Sequence, residues 1–261
     1  MNHGSLFSGI GGFDLAAQWM NWTNIFHCEW NPFCQRVLKH HFPQSISYED
    51  ITKTDFAIHR GHIDVLSGGF PCQPFSNAGM QKGTEDERYL WGEMLRAIRE
   101  IKPRWVVGEN VLGLVSWNDG MVFEQVCADL EVEGYEVQPY ILPASGKNAP
   151  HKRERVWFVA YASDTCATRP SRTHQSRDTH IENREDSSLW RTTSRCASAN
   201  SWEVFPNQPP FCGGDDGIPR ELDSITFPKW RRESIRAYGN AIVPQVALEI
   251  FKSIQAYENL L

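Results

Sequence analysis

Short apolar runs alternate with amphipathic stretches along the first part of the chain. The runs at 63–70 and 104–110 are compact and end in polar loops, as buried parallel strands do. Residues 90–101 repeat apolar side chains at helical spacing, and further strands are predicted at 136–142 and 155–161. This alternation predicts an α/β fold with a Rossmann-like, doubly wound and mostly parallel sheet. The predicted helical face consists of Leu90, Met94, Leu95, Ile98 and Ile101.

The composition changes after residue 161. Residues 162–228 are rich in serine, threonine and arginine and show no periodicity, which predicts a small irregular region. Its arginines are candidates for phosphate or base contacts, although a solvated insertion explains them equally well. Apolar residues then return at helical spacing and predict a last helix packed on the first domain. We therefore divide the chain into 1–161, 162–228 and 229–261. The stripe of the last helix is Val246, Ala247, Ile250, Phe251, Ile254 and Tyr257.

The composition narrows the class of protein. The chain has 261 residues, of which 41% are hydrophobic and 22% charged, as in soluble globular proteins. It shows no signal pattern and no long apolar run, so we expect a cytoplasmic protein without a membrane span. The net charge of −6 argues against a generic polyanion binder, but a nucleic-acid enzyme can concentrate its basic residues on one face. The 7 cysteines form no Cys-x-x-Cys pair, so we expect neither a disulfide framework nor a metal site.

A glycine-rich turn stands near the start of the chain. The stretch "GSLFSGIGGFDLAAQWM" predicts a strand, a tight turn and a helix, with Gly9 and Gly12 letting backbone amides approach a ligand. It departs from the dinucleotide pattern G-x-G-x-x-G because Asp14 replaces the third glycine. Glu29 follows Gly9 by 20 residues, where a carboxylate can bind ribose hydroxyls, and Trp30 can stack on a flat base. The pair indicates an adenosine-containing cofactor, although the turn taken alone also fits a structural role.

Other chemical groups stand at predicted strand ends. Asp50, in "YEDIT", can accept hydrogen bonds from an adenine amino group or can cap a helix. In "GGFPCQPFS", Pro71 and Pro74 constrain the backbone around Cys72 at the end of a buried strand. A nucleophilic cysteine needs access and fixed geometry, and this position offers both. The alternative is a structural cysteine in a rigid turn.

Acidic and basic residues follow on the next strands. Glu109, in "GENV", would face the same crevice and could protonate a ring nitrogen. Arg153 and Arg155 are two residues apart at the start of a strand, so we expect them on one face, where a guanidinium can hold a carbonyl or carboxylate. Asn240 lies in a Gly-Asn turn ahead of the last helix and could simply start that helix.

Taken in order, these stretches resemble the C5-cytosine DNA methyltransferases. The similarity rests on "LFSGIGGF", "EW", "DI", "GFPCQPFS", "ENV", "KRER" and "GNAIVP", and it covers about residues 5–160 and 229–250. The chain resembles in particular the compact phage, prophage or bacterial members of this family. The resemblance implies S-adenosylmethionine as methyl donor, S-adenosylhomocysteine as product, and a flipped-out cytosine in double-stranded DNA as acceptor. It makes 1–161 the cofactor-binding and catalytic domain, 162–228 a target-recognition region, and 229–261 a segment that returns to the catalytic domain.

The resemblance also implies roles for individual residues. Cys72 would add to carbon 6 of cytosine while Glu109 stabilises or protonates nitrogen 3. Arg155 would contact the cytosine oxygen and support Glu109, and Arg153 would help anchor the site. Residues 79–88 resemble the loop that closes over the target base. The implied substrate contacts are Gln73, Ser76 and Asn110. The implied cofactor contacts are Phe7, Ser8, Gly9, Ile10, Gly12, Glu29, Trp30, Asp50, Ile51, Pro71, Leu90 and Asn240.

The chain departs from the family pattern at two places. His151 stands where glutamine is usual ahead of "KRER", and 162–228 is short for a target-recognition domain. Alternative functions are an RNA (tRNA) cytosine methyltransferase and a catalytically silent DNA-binding accessory protein. A nicotinamide oxidoreductase fits poorly because the glycine pattern fails at Asp14. The resemblance favours a monomer, and functional pairing with a restriction endonuclease stays open.

Overall fold

The computed structural model describes residues 1–71, 90–162 and 227–261. Within these ranges the strands form one sheet in the order β3-β2-β1-β4-β5-β7-β6. Strands β1 to β5 pair in parallel, whereas β7 runs antiparallel to both β5 and β6. The strands are β1 Asn2–Leu6, β2 Thr23–Cys28, β3 Ile46–Tyr48, β4 Val65–Gly68, β5 Trp105–Val111, β6 Tyr135–Pro143 and β7 Glu154–Ala162.

Helices connect and cover these strands. Local signals start two of them: the Asn31 side chain accepts hydrogen bonds from the first amides of α2, and Pro244 occupies the first turn of α6. Short 3-10 helices at Ile51–Lys53 and Ala57–His59 join β3 to β4. The α-helices are α1 Gly12–Trp19, α2 Pro32–His41, α3 Trp91–Ile101, α4 Met121–Val132, α5 Phe227–Asn240 and α6 Pro244–Glu258.

Apolar side chains bury both faces of the sheet. One face packs against α3 and α4, with Met94, Ile98 and Val126 buried there. The other packs against α1 and α6, with Phe13 and Phe251 buried there. Because neighbouring residues of a strand point to opposite faces, a strand buried on both sides needs a continuous apolar run. The observed sheet, covered by helices on both faces, confirms the prediction of a doubly wound, mostly parallel α/β fold.

The predicted elements are largely where the pattern put them. The strands predicted at 63–70, 104–110, 136–142 and 155–161 correspond to β4 to β7, and the helix predicted at 90–101 corresponds to α3. The predicted stripe of α6 is buried from Val246 to Ile254, while Tyr257 is 43% exposed and packs edge-on against Trp105. No described helix is long and apolar enough to cross a membrane.

Two features of the fold do not follow from the pattern. The hydrophobic runs of β6 and β7 do not show that β7 is antiparallel to its neighbours. Helix α5 includes residues up to Trp230 that resemble turn-rich chain. It packs on α2, where Trp230 and Ala237 meet Phe33, Cys34 and Val37. Tertiary contact thus supports a helix that the local sequence signals only weakly.

Candidate active site

The candidate residues in the described ranges gather along one edge of the sheet. The glycine-rich turn follows β1, Glu29 follows β2, Asp50 follows β3 and Pro71 follows β4, while Glu109 lies near the end of β5. The carboxyl ends of parallel strands share an edge, and open α/β sheets bind their ligands there. The fold therefore brings together residues that are far apart in the sequence.

The turn after β1 has an unusual backbone. Phe7 and Gly9 have φ angles of 51° and 57°, in the left-handed region. A Cβ added at Gly9 would meet none of the described atoms within 4 Å, so this position is open in the part of the chain that the structure describes. At Gly12 an added Cβ would lie 2.7 Å from the Ile242 carbonyl oxygen, so glycine is needed there for close packing against the turn before α6.

Glu29 is held by the backbone on both sides of its carboxylate. The amide of Gly9 donates to Oε2 at 2.7 Å, and the amide of Asn31 donates to Oε1 at 2.8 Å. Burial raises the pKa of Glu29, and these two hydrogen bonds oppose the rise. Each oxygen keeps a further lone pair, so the carboxylate can accept hydrogen bonds from a pair of ligand hydroxyls.

A cleft of about 530 Å³ includes Trp30, the residue after Glu29, and Asp50 in its walls. The Trp30 ring is 72% exposed, although large apolar side chains are usually buried. Asp50 accepts hydrogen bonds from the amide and hydroxyl of Thr52 at 3.0 and 2.7 Å, so it caps the 3-10 helix. It lines the cleft as well, and Ile51 behind it is buried. The two uses of Asp50 that the sequence left open are therefore compatible.

The chemistry of these residues fits S-adenosylmethionine. The cleft volume lies in the usual range for small-molecule sites, about 300–1,000 Å³. The exposed Trp30 ring offers a stacking surface for adenine, the Glu29 carboxylate an acceptor for ribose hydroxyls, and the open side of Gly9 close backbone approach. In the described residues no cluster of three or more histidine, cysteine or acidic side chains could hold a metal ion.

The buried Glu109 forms an ion pair with the partly exposed Arg155 at the end of β5. Arg155 Nε lies 3.1 Å from Glu109 Oε1, and a Cβ added at Gly69 would lie 3.5 Å from Glu109 Oε2. Burial raises the pKa of Glu109 to about 7, against the lowering effect of the Arg155 and Arg153 charges. At neutral pH this carboxyl can therefore either carry or release a proton.

The pairing of β5 with β7 explains why Arg155 reaches Glu109. Arg155 stands opposite Val111, two residues along β5 from Glu109. Such diagonal neighbours across antiparallel strands are within reach of a long side chain.

Arg153 lies just ahead of β7, with a left-handed φ of 37°. Its two terminal nitrogens donate to the carbonyls of Gly239 at 2.9 Å and Ala241 at 2.8 Å. Burial and the neighbouring Arg155 charge lower the pKa of Arg153. Because Arg153 lies outside β7, the strand alternation used to predict its position does not apply to it. Its two hydrogen bonds are to the residues on either side of the exposed Asn240.

The chain segment that leads to Cys72 is anchored to β5. The Asn110 side-chain amide donates to the Phe70 carbonyl at 3.0 Å, and its oxygen accepts from the Val111 amide at 2.8 Å. Pro71, the next residue, is partly buried. The other positions predicted on this segment lie outside the described residues: Cys72, Gln73, Ser76 and residues 79–88.

The remaining predicted cofactor residues lie at the borders of elements. Leu90 immediately precedes α3, and Ile10 packs against the cluster between α2 and α5. Ser8 is buried, and its amide donates to the Cys28 carbonyl at 3.1 Å. Ser8 is thus bound to protein atoms on the inner side of the turn.

The sequence interpretation missed one polar group beneath the turn. Asp14 is fully buried, and the Ser5 hydroxyl donates to its carboxylate oxygens at 2.9 and 3.0 Å. Burial raises the pKa of Asp14 to about 7. The available signal was an acidic residue on the apolar side of α1, next to the buried Phe13 and Ala17.

Comparison with known families shows to which family the chain belongs. Residues 1–204 match the family model described as C-5 cytosine-specific DNA methylase. The chain belongs to this family. The matched range includes Glu109, Arg153 and Arg155 together with Cys72, and it ends before α5 and α6.

Individual relatives of this methylase family agree. Type II methyltransferase M.PspPI from Psychrobacter sp. (strain TA137) is 36% identical over 162 residues, which cover 61% of this chain and 39% of the relative. Type II methyltransferase M.HhaI from Haemophilus parahaemolyticus is 35% identical over 160 residues, 61% of this chain and 48% of the relative. The methyltransferase EhMeth from Entamoeba histolytica has the same fold, with a TM-score of 0.52 at 21% identity over 69% of this chain and 57% of that one. The chain matches less than half the length of these two curated relatives.

Proposed function

We propose that this chain transfers a methyl group from S-adenosylmethionine to carbon 5 of a flipped-out cytosine in double-stranded DNA. The observation that carries the proposal is the ion pair between the buried Glu109 and Arg155, beside the segment that leads to Cys72. A DNA methylase of this family needs an acid and a cation next to the thiol, and the two described members of that set are 3.1 Å apart.

The chemistry assigns one task to each residue. The Cys72 thiolate forms a bond to carbon 6, and the Glu109 proton moves to nitrogen 3 to neutralise the negative charge that develops there. Arg155 holds Glu109 and donates to the cytosine oxygen. S-adenosylmethionine, when bound, supplies an electrophilic methyl group to carbon 5. Transfer of the carbon 5 proton to a solvent base then releases Cys72 as a thiolate, and the nitrogen 3 proton returns to Glu109.

The cofactor would lie along the ends of β1 to β3. Glu29 would bind the ribose hydroxyls, Trp30 would stack on the adenine, and the open side of Gly9 would let the backbone approach. Arg153 would support this site indirectly, because its hydrogen bonds hold the two residues next to Asn240.

Helix α5 supports DNA as the substrate. Its apolar side packs on α2, and four basic side chains on the rest of its surface are exposed. Such residues can contact phosphates, and phosphate contacts help to offset the few kcal/mol that base extrusion costs. The basic residues are Lys229, Arg231, Arg232 and Arg236.

We extend the proposal to the setting of the reaction. As the sequence predicts, the protein would act in the cytoplasm and as a monomer. Functional pairing with a restriction endonuclease is supported by the Type II naming of the relatives.

The test is methyl transfer by the purified protein. With labelled S-adenosylmethionine we expect incorporation into duplex DNA, and bisulfite sequencing of DNA from an expressing host should show 5-methylcytosine within a fixed sequence. Cys72→Ala should abolish transfer, whereas Cys127→Ala, which removes a partly exposed thiol on α4, should not. Transfer to tRNA instead of DNA would favour the RNA enzyme, and no transfer to either substrate would refute the proposal.

A further inference from the structure

A buried chain of hydrogen bonds lies beneath the glycine-rich turn. Asp14, in the first turn of α1, is fully buried, and the Ser5 hydroxyl donates to both of its oxygens at 2.9 and 3.0 Å. The same Ser5 oxygen lies 2.7 Å from the hydroxyl oxygen of Ser8. We call Ser5, Ser8 and Asp14 the buried relay. The chemistry proposed above uses none of its polar atoms.

The relay connects the helix to the turn. The Ser8 hydroxyl oxygen accepts the Cys28 amide at 3.2 Å, and the Ser8 amide donates to the Cys28 carbonyl at 3.1 Å. Gly9 follows Ser8, and Glu29 follows Cys28. The Gly9 amide donates a hydrogen bond to the Glu29 carboxylate at 2.7 Å. The relay therefore holds the turn against the end of β2, at the point where Glu29 leaves the strand.

The backbone of the turn needs such support. Phe7 has a left-handed φ of 51°, a conformation that is unfavourable for a residue with a side chain. Strain of this kind persists only where the surroundings hold it. Ser8 follows Phe7 directly, and its hydrogen bonds hold the strained backbone in place.

Every proton in the relay has an acceptor, whichever form Asp14 takes. If Asp14 is ionised, Ser5 donates to it and Ser8 can donate to Ser5. If Asp14 is protonated, it can donate to Ser5, Ser5 to Ser8, and Ser8 to the Cys28 carbonyl at 3.2 Å. The relay thus requires a polar group at position 14 but not a particular charge.

We propose that Ser5 and Asp14 are positioning residues for the cofactor: through Ser8 they set the position of the Gly9 amide relative to Glu29. The inference rests on the proposed function, because it assigns the turn to S-adenosylmethionine. Neither residue would contact the cofactor or the cytosine.

Ser5→Ala has a closely matched control in Ser67→Ala. The two serines are register partners on β1 and β4, and both are fully buried. The Ser67 hydroxyl bonds His3 Nε2 at 2.8 Å and has no part in the relay. Both substitutions remove one buried hydroxyl, so we expect similar losses of thermal stability. Only Ser5→Ala should weaken S-adenosylmethionine binding, by about tenfold in calorimetric Kd, with kcat at saturating cofactor within about twofold of wild type.

Two substitutions of Asp14 test the chemistry of the relay. Asp14→Asn keeps the volume and can donate to Ser5, so its Kd should stay within about threefold of wild type. Asp14→Leu keeps the branched shape, with two bulkier methyl groups in place of the oxygens and no polar group, so it should weaken binding at least as much as Ser5→Ala does. Recovery by asparagine would separate a lost hydrogen bond from simple loss of packing. If Asp14→Leu does not fold, the serine pair still decides the question.

Amide hydrogen exchange measures the turn without the cofactor. In the ligand-free protein, residues 6–12 should exchange about tenfold faster in Ser5→Ala than in Ser67→Ala. Equal exchange and equal Kd in the two serine variants would overturn the inference. Wild-type protein that binds no S-adenosylmethionine would refute the proposed function and the cofactor part of the inference. The exchange result would still show whether the relay holds the turn.

Discussion

The substitution Glu109→Gln should make the protein more stable than wild type at alkaline pH, and it should remove methyl-transfer activity. Burial raises the pKa of Glu109 to about 7 from an ordinary value of 4.5. Between these two values the folded protein holds a proton that the unfolded chain has lost, so wild-type stability falls as pH rises. The loss is about 1.4 kcal/mol per pH unit, or about 3 kcal/mol over the whole window.

Glu109→Gln is neutral at every pH and resembles the protonated carboxyl in shape. From pH 5.5 to pH 8.5 the free energy of unfolding of the variant relative to wild type should therefore rise by about 2 kcal/mol. Other titrating groups, including Asp14, are present in both proteins and cancel in this difference. Urea denaturation at several pH values measures it.

Glu133→Gln is the matched control. Burial acts against ionisation of Glu133, but hydrogen bonds and charge from Arg99 and Lys102 outweigh it and lower the pKa. The stabilisation by this carboxylate is present above its unfolded pKa and is lost only as pH falls through the lower folded value. The difference between Glu133→Gln and wild type should therefore be constant from pH 5.5 to pH 8.5.

If the free energy of unfolding of Glu109→Gln relative to wild type is also constant from pH 5.5 to pH 8.5, the reasoning is refuted. It would mean that burial does not dominate the electrostatics of Glu109. The same variant should lose at least about 100-fold in kcat, because it cannot supply a proton to nitrogen 3. Full activity would exclude Glu109 as the acid.

The remaining predictions concern the walls of the cofactor site. Gly12→Ala should destabilise the fold by about 1–3 kcal/mol in urea denaturation, because its Cβ would meet the turn before α6 at 2.7 Å. Gly92→Ala, which meets no atom within 4 Å, should not destabilise it. Trp30→Ala should raise the Kd for S-adenosylmethionine about tenfold or more with little change in stability, and Trp19→Ala should not. Arg153→Ala should cost about 1–2 kcal/mol through two lost hydrogen bonds to carbonyls. An unchanged midpoint for Gly12→Ala or Arg153→Ala, or an unchanged Kd for Trp30→Ala, would contradict these contacts.

Much of the fold is visible in the sequence because the information is local. A strand buried on both faces needs a continuous apolar run, so β4 and β5 are recognisable in isolation. The stripe of α6 repeats at helical spacing and is buried from Val246 to Ile254. Glu29 could be predicted near Gly9 because a strand–turn–helix–strand unit places residues about 20 apart at one sheet edge.

Polar contacts between distant segments were not visible in this way. Asp14 and Ser5 are ordinary residues in the sequence, and their hydrogen bond exists because α1 packs back over β1. Asn110 stays a predicted substrate contact, but the sequence did not show that its side-chain amide joins β5 to the Phe70 carbonyl ahead of Cys72. No period or motif in a single sequence encodes such pairings.

The sequence by itself determined the alternation of strands and helices in the first part of the chain, the glycine-rich turn, and the candidate residues for the proposed chemistry. The tertiary structure decided how the described ones meet. Because β7 runs antiparallel to β5, Arg155 reaches Glu109 across the sheet. Arg153, in a left-handed conformation just ahead of β7, binds the carbonyls on either side of Asn240, at the end of α5. Local spacing specifies elements, whereas strand direction and packing specify which side chains share a site.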